Sequence, residues 1–282
     1  MRKRAYVALV TALIVLPAVN AGCSPRGNPW TVVTVREPRP GEIAFENASR
    51  YLRPSEDANN VPGPDSLVAH VRSDEHYHSY IELENLRTGK SNRLNTGNSF
   101  LPQWSPDGKY IACVVWKSRF LTGELAVAKV DNGSVVLDPR ARASVAIMKW
   151  SPDGHRIAVE GPIHSRPRVM LYTMSFPEGK VQVLDTVEVL ADYEFSWSPD
   201  GRWIVFSRPM KLDNLGEVIV AAGLWIADAE TGGTWPLLET PEWVESNPLW
   251  VTNDAIQVDR AHWDGKEVGA DERVVIELSM GK

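Results

Sequence analysis

Three kinds of side chain in this sequence could do chemistry, and each occurs in a pattern that narrows what the chemistry would be. Aspartate recurs in one setting, as Asp107, Asp153 and Asp200, each preceded by Ser-Pro and followed by Gly108, Gly154 or Gly201. A repeated carboxylate invites a catalytic reading. A reaction needs a given group once, however, whereas a turn is needed in every structural unit. In Ser-Pro-Asp-Gly the proline presets φ, the carboxylate can accept backbone N–H groups and glycine tolerates the last place of a tight reversal. The three aspartates are therefore read as structural.

Histidine is the second kind. Four of the six histidines, His76, His78, His164 and His262, fall in irregular segments between apolar runs. His76 and His78 alternate on an extended segment and would point the same way, and imidazole is a common metal ligand. The expectation is still a general contact surface with no metal, because aromatic and basic residues accompany them: Tyr77, Arg119, Phe120, Arg166, Arg168, Lys211 and Trp263. The third kind is the paired acid of a glycosidase, which needs two carboxylates at a defined separation. Asp192, Glu194, Glu245 and either Glu42 or Glu46 are the candidates. Asp192 and Glu194 lie two apart on one strand, adjacent and not opposed, so a glycosidase-like enzyme acting on a glycan is the alternative reading. No Gly-rich phosphate loop, Gly-x-Ser-x-Gly elbow or His-Glu-x-x-His occurs, and no catalytic residue or cofactor is assigned.

The elements that carry these residues are set by an internal repeat. Trp104-Ser105-Pro106-Asp107-Gly108 recurs at Trp150 and at Trp197, with spacings of 46 and 47 residues. A worn copy begins at Trp250, and Gly63-Pro64-Asp65-Ser66 is a worn copy at the front. Each copy is followed by an apolar run, a loop, a second apolar run ending near a Gly turn, and a short third run. The runs are short, β-branched and aromatic, which predicts strands. The tryptophan entering each turn would wedge between neighbouring sheets.

These motifs resemble the WD40-like repeat of the TolB family and its relatives, which include the propeller domains of prolyl-oligopeptidase-type proteins. The resemblance covers roughly residues 60 to 260 and implies a β-propeller. Such propellers usually have six blades. Neither the N-terminal α/β domain of TolB nor an α/β-hydrolase domain is expected here.

Residues 41–282 accommodate five units of about 48 residues, so the fold class expected is all-β, a propeller of about five four-stranded blades, with four or six as alternatives. The last unit supplies only three strands. Thr31 to Val35 would complete it and close the ring, and Glu42 to Phe45 would start the first blade. In such a blade the Ser-Pro-Asp-Gly turns and the Gly turns share one face. The long, varied connections fall on the other, where binding usually resides. That face carries His76, His78, Arg119, Phe120, His164, Arg166, Arg168, Lys211, His262 and Trp263.

The N-terminus reads as an export leader over residues 1–22: Arg2, Lys3 and Arg4, then an uncharged apolar stretch from Ala5 to Val19, then small residues. Asn20-Ala21-Gly22-Cys23 resembles the lipobox of bacterial lipoproteins, with Asn20 where an aliphatic residue is usual. This implies lipidation of Cys23 and a location outside the cytoplasmic membrane, with secretion as the alternative. Residues 23–40 hold four prolines and would serve as a tether. Cys113 lies in an apolar run and reads as a small buried hydrophobe. Loss of the leader moves the formal charge from -6 to -9, which argues against nucleic acid as a partner. The expected partner is a protein, peptide or glycan of the cell envelope.

Overall fold

The computed structural model describes residues 27–39, 42, 60–116, 123–137, 147–162, 169–187, 194–213 and 218–281. They form twenty strands and, among the described residues, no helix. The reason begins in the pentapeptide. Ser105 donates its hydroxyl to Asp107 Oδ1 at 2.7 Å and accepts the Tyr110 N–H at 3.0 Å, while Asp107 Oδ1 also accepts the Lys109 N–H at 3.1 Å. The same three bonds recur at Ser151, Asp153 and Arg156, and again at Ser198, Asp200 and Trp203. Gly108, Gly154 and Gly201 have φ of 70, 73 and 72°, a region that strains any residue with a Cβ. Each copy thus reverses the chain and sends two strands back antiparallel.

Five four-stranded sheets result. The first runs Asn60–Pro62 (β2), Leu67–Ser73 (β3), Ser79–Asn85 (β4) and Lys90–Arg93 (β5); the second Ser99–Trp104 (β6), Tyr110–Trp116 (β7), Gly123–Lys129 (β8) and Val135–Leu137 (β9). The third runs Ile147–Trp150 (β10), Arg156–Pro162 (β11), Val169–Ser175 (β12) and Val181–Val187 (β13); the fourth Phe195–Trp197 (β14), Trp203–Leu212 (β15), Ile219–Asp228 (β16) and Thr234–Leu238 (β17). The fifth is Trp243–Thr252 (β18), Ala255–His262 (β19) and Glu272–Met280 (β20), completed by Trp30–Arg36 (β1) from the N-terminus. In that last pair Trp30 lies opposite Met280 and Arg36 opposite Val275. One parallel pair, Ala222 with Val244, merges the fourth and fifth sheets into an eight-stranded unit. The innermost strand of the first sheet is β2. Glu42 is not in a strand, and residues 43–45 lie outside the described residues.

Sheets pack face to face through four apolar clusters, one per junction. Ile81, Leu83, Ile111 and Cys113 fill the first; Val114, Met148, Ile157 and Tyr172 the second. Leu171, Phe195, Ile204 and Phe206 fill the third; Trp30, Trp203, Trp250 and Ile276 the fourth. Burial pushes the Cys113 thiol up to about 12, so this cysteine behaves as a hydrophobe. The repeated tryptophans add direction to this packing. Trp104 Nε1 donates to the Val61 carbonyl at 3.1 Å, Trp150 Nε1 to Gln103 O at 3.2 Å and Trp197 Nε1 to Lys149 O at 3.0 Å. In each case the acceptor lies on the innermost strand of the preceding sheet. Trp250 breaks the series: its indole nitrogen is buried with no hydrogen-bond partner, and its backbone N–H meets Ser196 Oγ instead.

The turns also touch one another. A Cβ on Gly108 would stand 2.2 Å from Pro64 Cγ, and one on Gly201 would stand 3.1 Å from Asp153 Cγ. Gly89 has a similar φ of 67° with nothing within 4 Å of its would-be Cβ. Gly108→Ala should therefore destabilise the chain by clearly more than Gly89→Ala, for which strain alone predicts about 1 kcal/mol. Thermal unfolding of the two variants compares them; equal losses would mean that the turns do not stack. Likewise Trp197→Phe removes a made bond and strands a carbonyl, whereas Trp250→Phe removes an orphan donor. Urea titration should show the first costing about 1–2 kcal/mol more than the second.

Candidate functional site

Opposite the pentapeptide turns lie, among the described residues, the connections at 74–78, 94–98, 239–242 and 263–271. The first of these, residues 74–78, is a rigid tip. Asp74 N donates to His78 O and Tyr77 N to Asp74 O, each at 3.0 Å. Asp74 Oδ1 accepts the N–H groups of His76 and His78, each at 2.9 Å, and these bonds, that of His78 foremost, hold its carboxyl below the usual range. The loop presents Tyr77 at φ 61° and 91% exposed, flanked by the rings of His76 and His78 stacked at 6.3 Å. A bulky residue at positive φ persists only where its surroundings hold it there. Nearby, Trp116 is 41% exposed and meets Phe100 edge to face at 5.5 Å. Among the described residues no three His, Cys, Asp or Glu side chains come together at metal-binding range.

The second element is the rim of the last sheet. The Arg260 guanidinium lies 4.1 Å above the Trp243 ring, and the His262 ring meets the same indole at 5.1 Å, inclined by 69°. Arg260 Nη2 is 3.0 Å from Glu245 Oε1, which also accepts the Thr240 hydroxyl at 3.3 Å. Glu245 is 0% exposed and its Oε2 has no hydrogen-bond partner. Burial raises its pKa, opposed by the charge of Arg260. His262 Nε2 stands 3.6 Å from Glu242 Oε2, and Trp263 N donates to Glu242 O at 2.8 Å. Trp243, Arg260 and Glu245 thus form a stack of indole over cation over buried carboxylate, with His262 at its edge.

The inner strands carry a third, polar group. Lys149 reaches from the third sheet to the fourth, where its Nζ donates to Phe195 O at 2.7 Å. Burial pushes its amine down to about 8, with Glu194 pulling the other way. Glu194 Oε2 accepts the Asn247 N–H at 2.5 Å, and Asn247 Nδ2 donates to Asp259 Oδ2 at 3.2 Å. Asp259 in turn receives Arg273 Nε at 2.7 Å. Asn247, at φ 49°, sits in a bulge of β18, as Leu101 at φ 52° does in β6, and both precede a proline. Glu194 and Glu245, two of the acids that a glycosidase would use, are each engaged by groups of the protein itself. Glu42 is held to about 2 by hydrogen bonds with Arg36. Asp192 and Glu46 lie outside the described residues, as do Cys23, Arg119, Phe120, His164, Arg166 and Arg168.

Two expected loop residues stand elsewhere. Lys211 is exposed but lies in β15, because a bulge at Pro209 lets that strand and β16 run on to Leu212 and Ile219. His262 is the last residue of β19. The tertiary structure adds Trp243, Arg260 and Lys149, which the sequence reading passed over. Lys149 could have been found as a lone charge between the apolar Met148 and Trp150.

No protein-family model matches the chain. No curated protein matches it in sequence. Among solved structures it is similar to the β-propeller domain of the Trilobed protease from Pyrococcus furiosus, described as having an open velcro topology: 19% identity, TM-score 0.52, 75% of this chain and 70% of that one. It is also similar to an acylaminoacyl peptidase, at 18% identity and TM-score 0.50, covering 76% of this chain but only 39% of the peptidase. TolB from Acinetobacter baumannii is matched at 17% identity and TM-score 0.40 over 77% of this chain and 53% of that one. At these identities the first two likenesses concern the fold, and the fold is a β-propeller built from the five sheets described above.

The environment of Lys149 can be checked directly. After reductive methylation its NMR resonance should titrate near pH 8, below the ordinary value of a lysine amine. A folded pKa beneath the unfolded value of about 10.4 means that the unfolded chain binds the proton more tightly. Relative to Lys149→Met, the chain should gain stability as pH rises from about 8 towards 10; a flat difference would show that the amine is solvated.

Proposed function

We propose that this chain is a binding module whose long-loop face recognises a protein or peptide of the cell envelope. The observation that carries the reading is the unequal treatment of the two faces. The most exposed aromatic side chains among the described residues, Tyr77 and Trp116, stand on the long-loop face, and so does the Trp243, Arg260 and His262 stack. Aromatic residues and arginine are the usual anchors of protein interfaces. Tyr77 is held rigidly before any partner arrives, which lowers the ordering cost of binding. The turn face, in contrast, spends its serines and aspartates on its own backbone.

Export and attachment through a lipid on Cys23 complete the proposal, supported by the charged, apolar and small-residue order of the leader. Placement of residues 41–282 as one binding domain behind that anchor belongs to the same reading. Arg119, Phe120, His164, Arg166 and Arg168 are proposed as further contributors to the face from their sequence positions alone.

Crosslinking and affinity capture from the native envelope test this. Tyr77→Ala combined with Trp243→Ala should abolish capture of any partner held by the wild-type chain, while Lys109→Ala combined with His155→Ala on the turn face should leave capture unchanged. Retention of the same partner by the loop-face variant, with folding confirmed by circular dichroism, would refute the assignment.

A further inference from the structure

We infer that the anchored domain stands with its Ser-Pro-Asp-Gly turn face against the lipid surface and its long-loop face pointing away from it. The inference rests on the proposed anchor at Cys23 and adds a direction that the anchor alone does not supply. It follows from the sense in which β1 enters the last sheet. β20 descends from the loop at residues 263–271 to Met280, so Met280 lies at the turn face, and Trp30 is paired with it. The chain therefore joins the propeller at the turn face and climbs through β1 towards the loops.

The stretch before β1 is fastened to that same end. Gly281 N donates to Pro29 O at 2.7 Å, Asn28 Nδ2 donates to Pro236 O at 3.1 Å, and Trp30 N donates to Asn28 Oδ1 at 2.9 Å. The Trp30 ring packs edge-on against Trp203 at 5.4 Å and Trp250 at 6.0 Å. Between Gly27 and Cys23 there remain only Ser24, Pro25 and Arg26. Even fully extended, that stretch reaches about 14 Å. β1 itself spans roughly 23 Å from the turn face to the loop face. A lipid on Cys23 thus cannot reach round to the loop side, and the expected tether of residues 23–40 is shortened by the strand at its centre.

Leu86 and Met280 are 60% and 45% exposed on the turn face, with Arg87 and Lys90 in the same turn as Leu86. Lys109 is paired with Asp107 at 3.2 Å, and Asp153 and Asp200 stand in the equivalent turns. A headgroup layer would therefore be met by these few apolar and basic side chains and not by a basic face. Apolar side chains beside long basic ones can rest in the interfacial region.

The test couples the processed chain, beginning at Cys23, to a maleimide lipid in phosphatidylcholine vesicles that also carry a headgroup nitroxide. Cys113 is buried, which leaves Cys23 as the reacting thiol under native conditions. A fluorescent non-canonical residue replaces Glu230 on the turn face or Lys266 on the loop face, both in the sheets nearest the attachment. Quenching should be several-fold stronger at position 230. Equal quenching, or stronger quenching at 266, overturns the orientation. In cells, Cys23→Ser should move the chain from the membrane fraction to the soluble one. Retention in the membrane overturns the anchor and the orientation with it, whereas release together with quenching at 266 overturns the orientation alone.

Discussion

An indole N–H buried between two sheets is costly to leave without an acceptor, and at Trp104, Trp150 and Trp197 it finds the carbonyl one residue before the corresponding position of the preceding sheet. Apolar packing between sheets is strong but has no direction, so two β-sheets held by it alone could slide. A hydrogen bond inside that contact is directional and costly to leave unmade. The repeated bond from Trp104, Trp150 and Trp197 therefore sets both the spacing and the register of neighbouring blades. The rest of the architecture follows from having it at regular intervals.

Its worn copies are equally informative. Pro62 occupies the tryptophan place in the first copy, so the first sheet offers no indole to a neighbour. Trp250 keeps the ring but loses the acceptor, and there the fourth and fifth sheets are joined by the backbone pair of Ala222 and Val244. The N-terminal strand enters the same region, with Trp30 packed between Trp203 and Trp250. Where the directional bond is missing, strand pairing and an aromatic cluster take over its work.

The division of labour between the faces comes from the same constraint. Pinning the inner strands close to the pentapeptide packs the turns against each other and consumes their polar groups. The opposite ends of the strands are free to vary, and the rigid Tyr77 tip and the Trp243, Arg260 and Glu245 stack are found there. Glu245 is the costliest of these groups, a buried carboxylate with one oxygen bonded and one not. It is held by the arginine that also covers Trp243, so the packing of the rim and its charge balance are one feature. A propeller is compatible with many functions, and the reading offered for this one comes from its loop face and not from its fold.

Much of the architecture was legible before any coordinates. Five units, four strands in each, the structural place of Asp107, Asp153 and Asp200, and the N-terminal strand in the last blade all follow from local rules: turn chemistry, alternation and counting. The first strand was not legible in the same way, because Asn60–Pro62 is too short to show a pattern; nor was the extent of β15, which a bulge at Pro209 carries through an expected loop. The candidate site was legible only as a face. His76, His78, His262 and Trp263 were visible as loop-like polar and aromatic residues, but which of them meet was decided by cross-strand register. Trp243 and His262 are 19 positions apart and opposite each other, and Lys149 lies 46 positions from the carbonyl it caps. Residue types and their spacing determine the unit and its repetition, since a turn is made by neighbours in the chain. Tertiary structure alone decides which side chains share a site and which face the chain enters, since those depend on how far separate units are brought together.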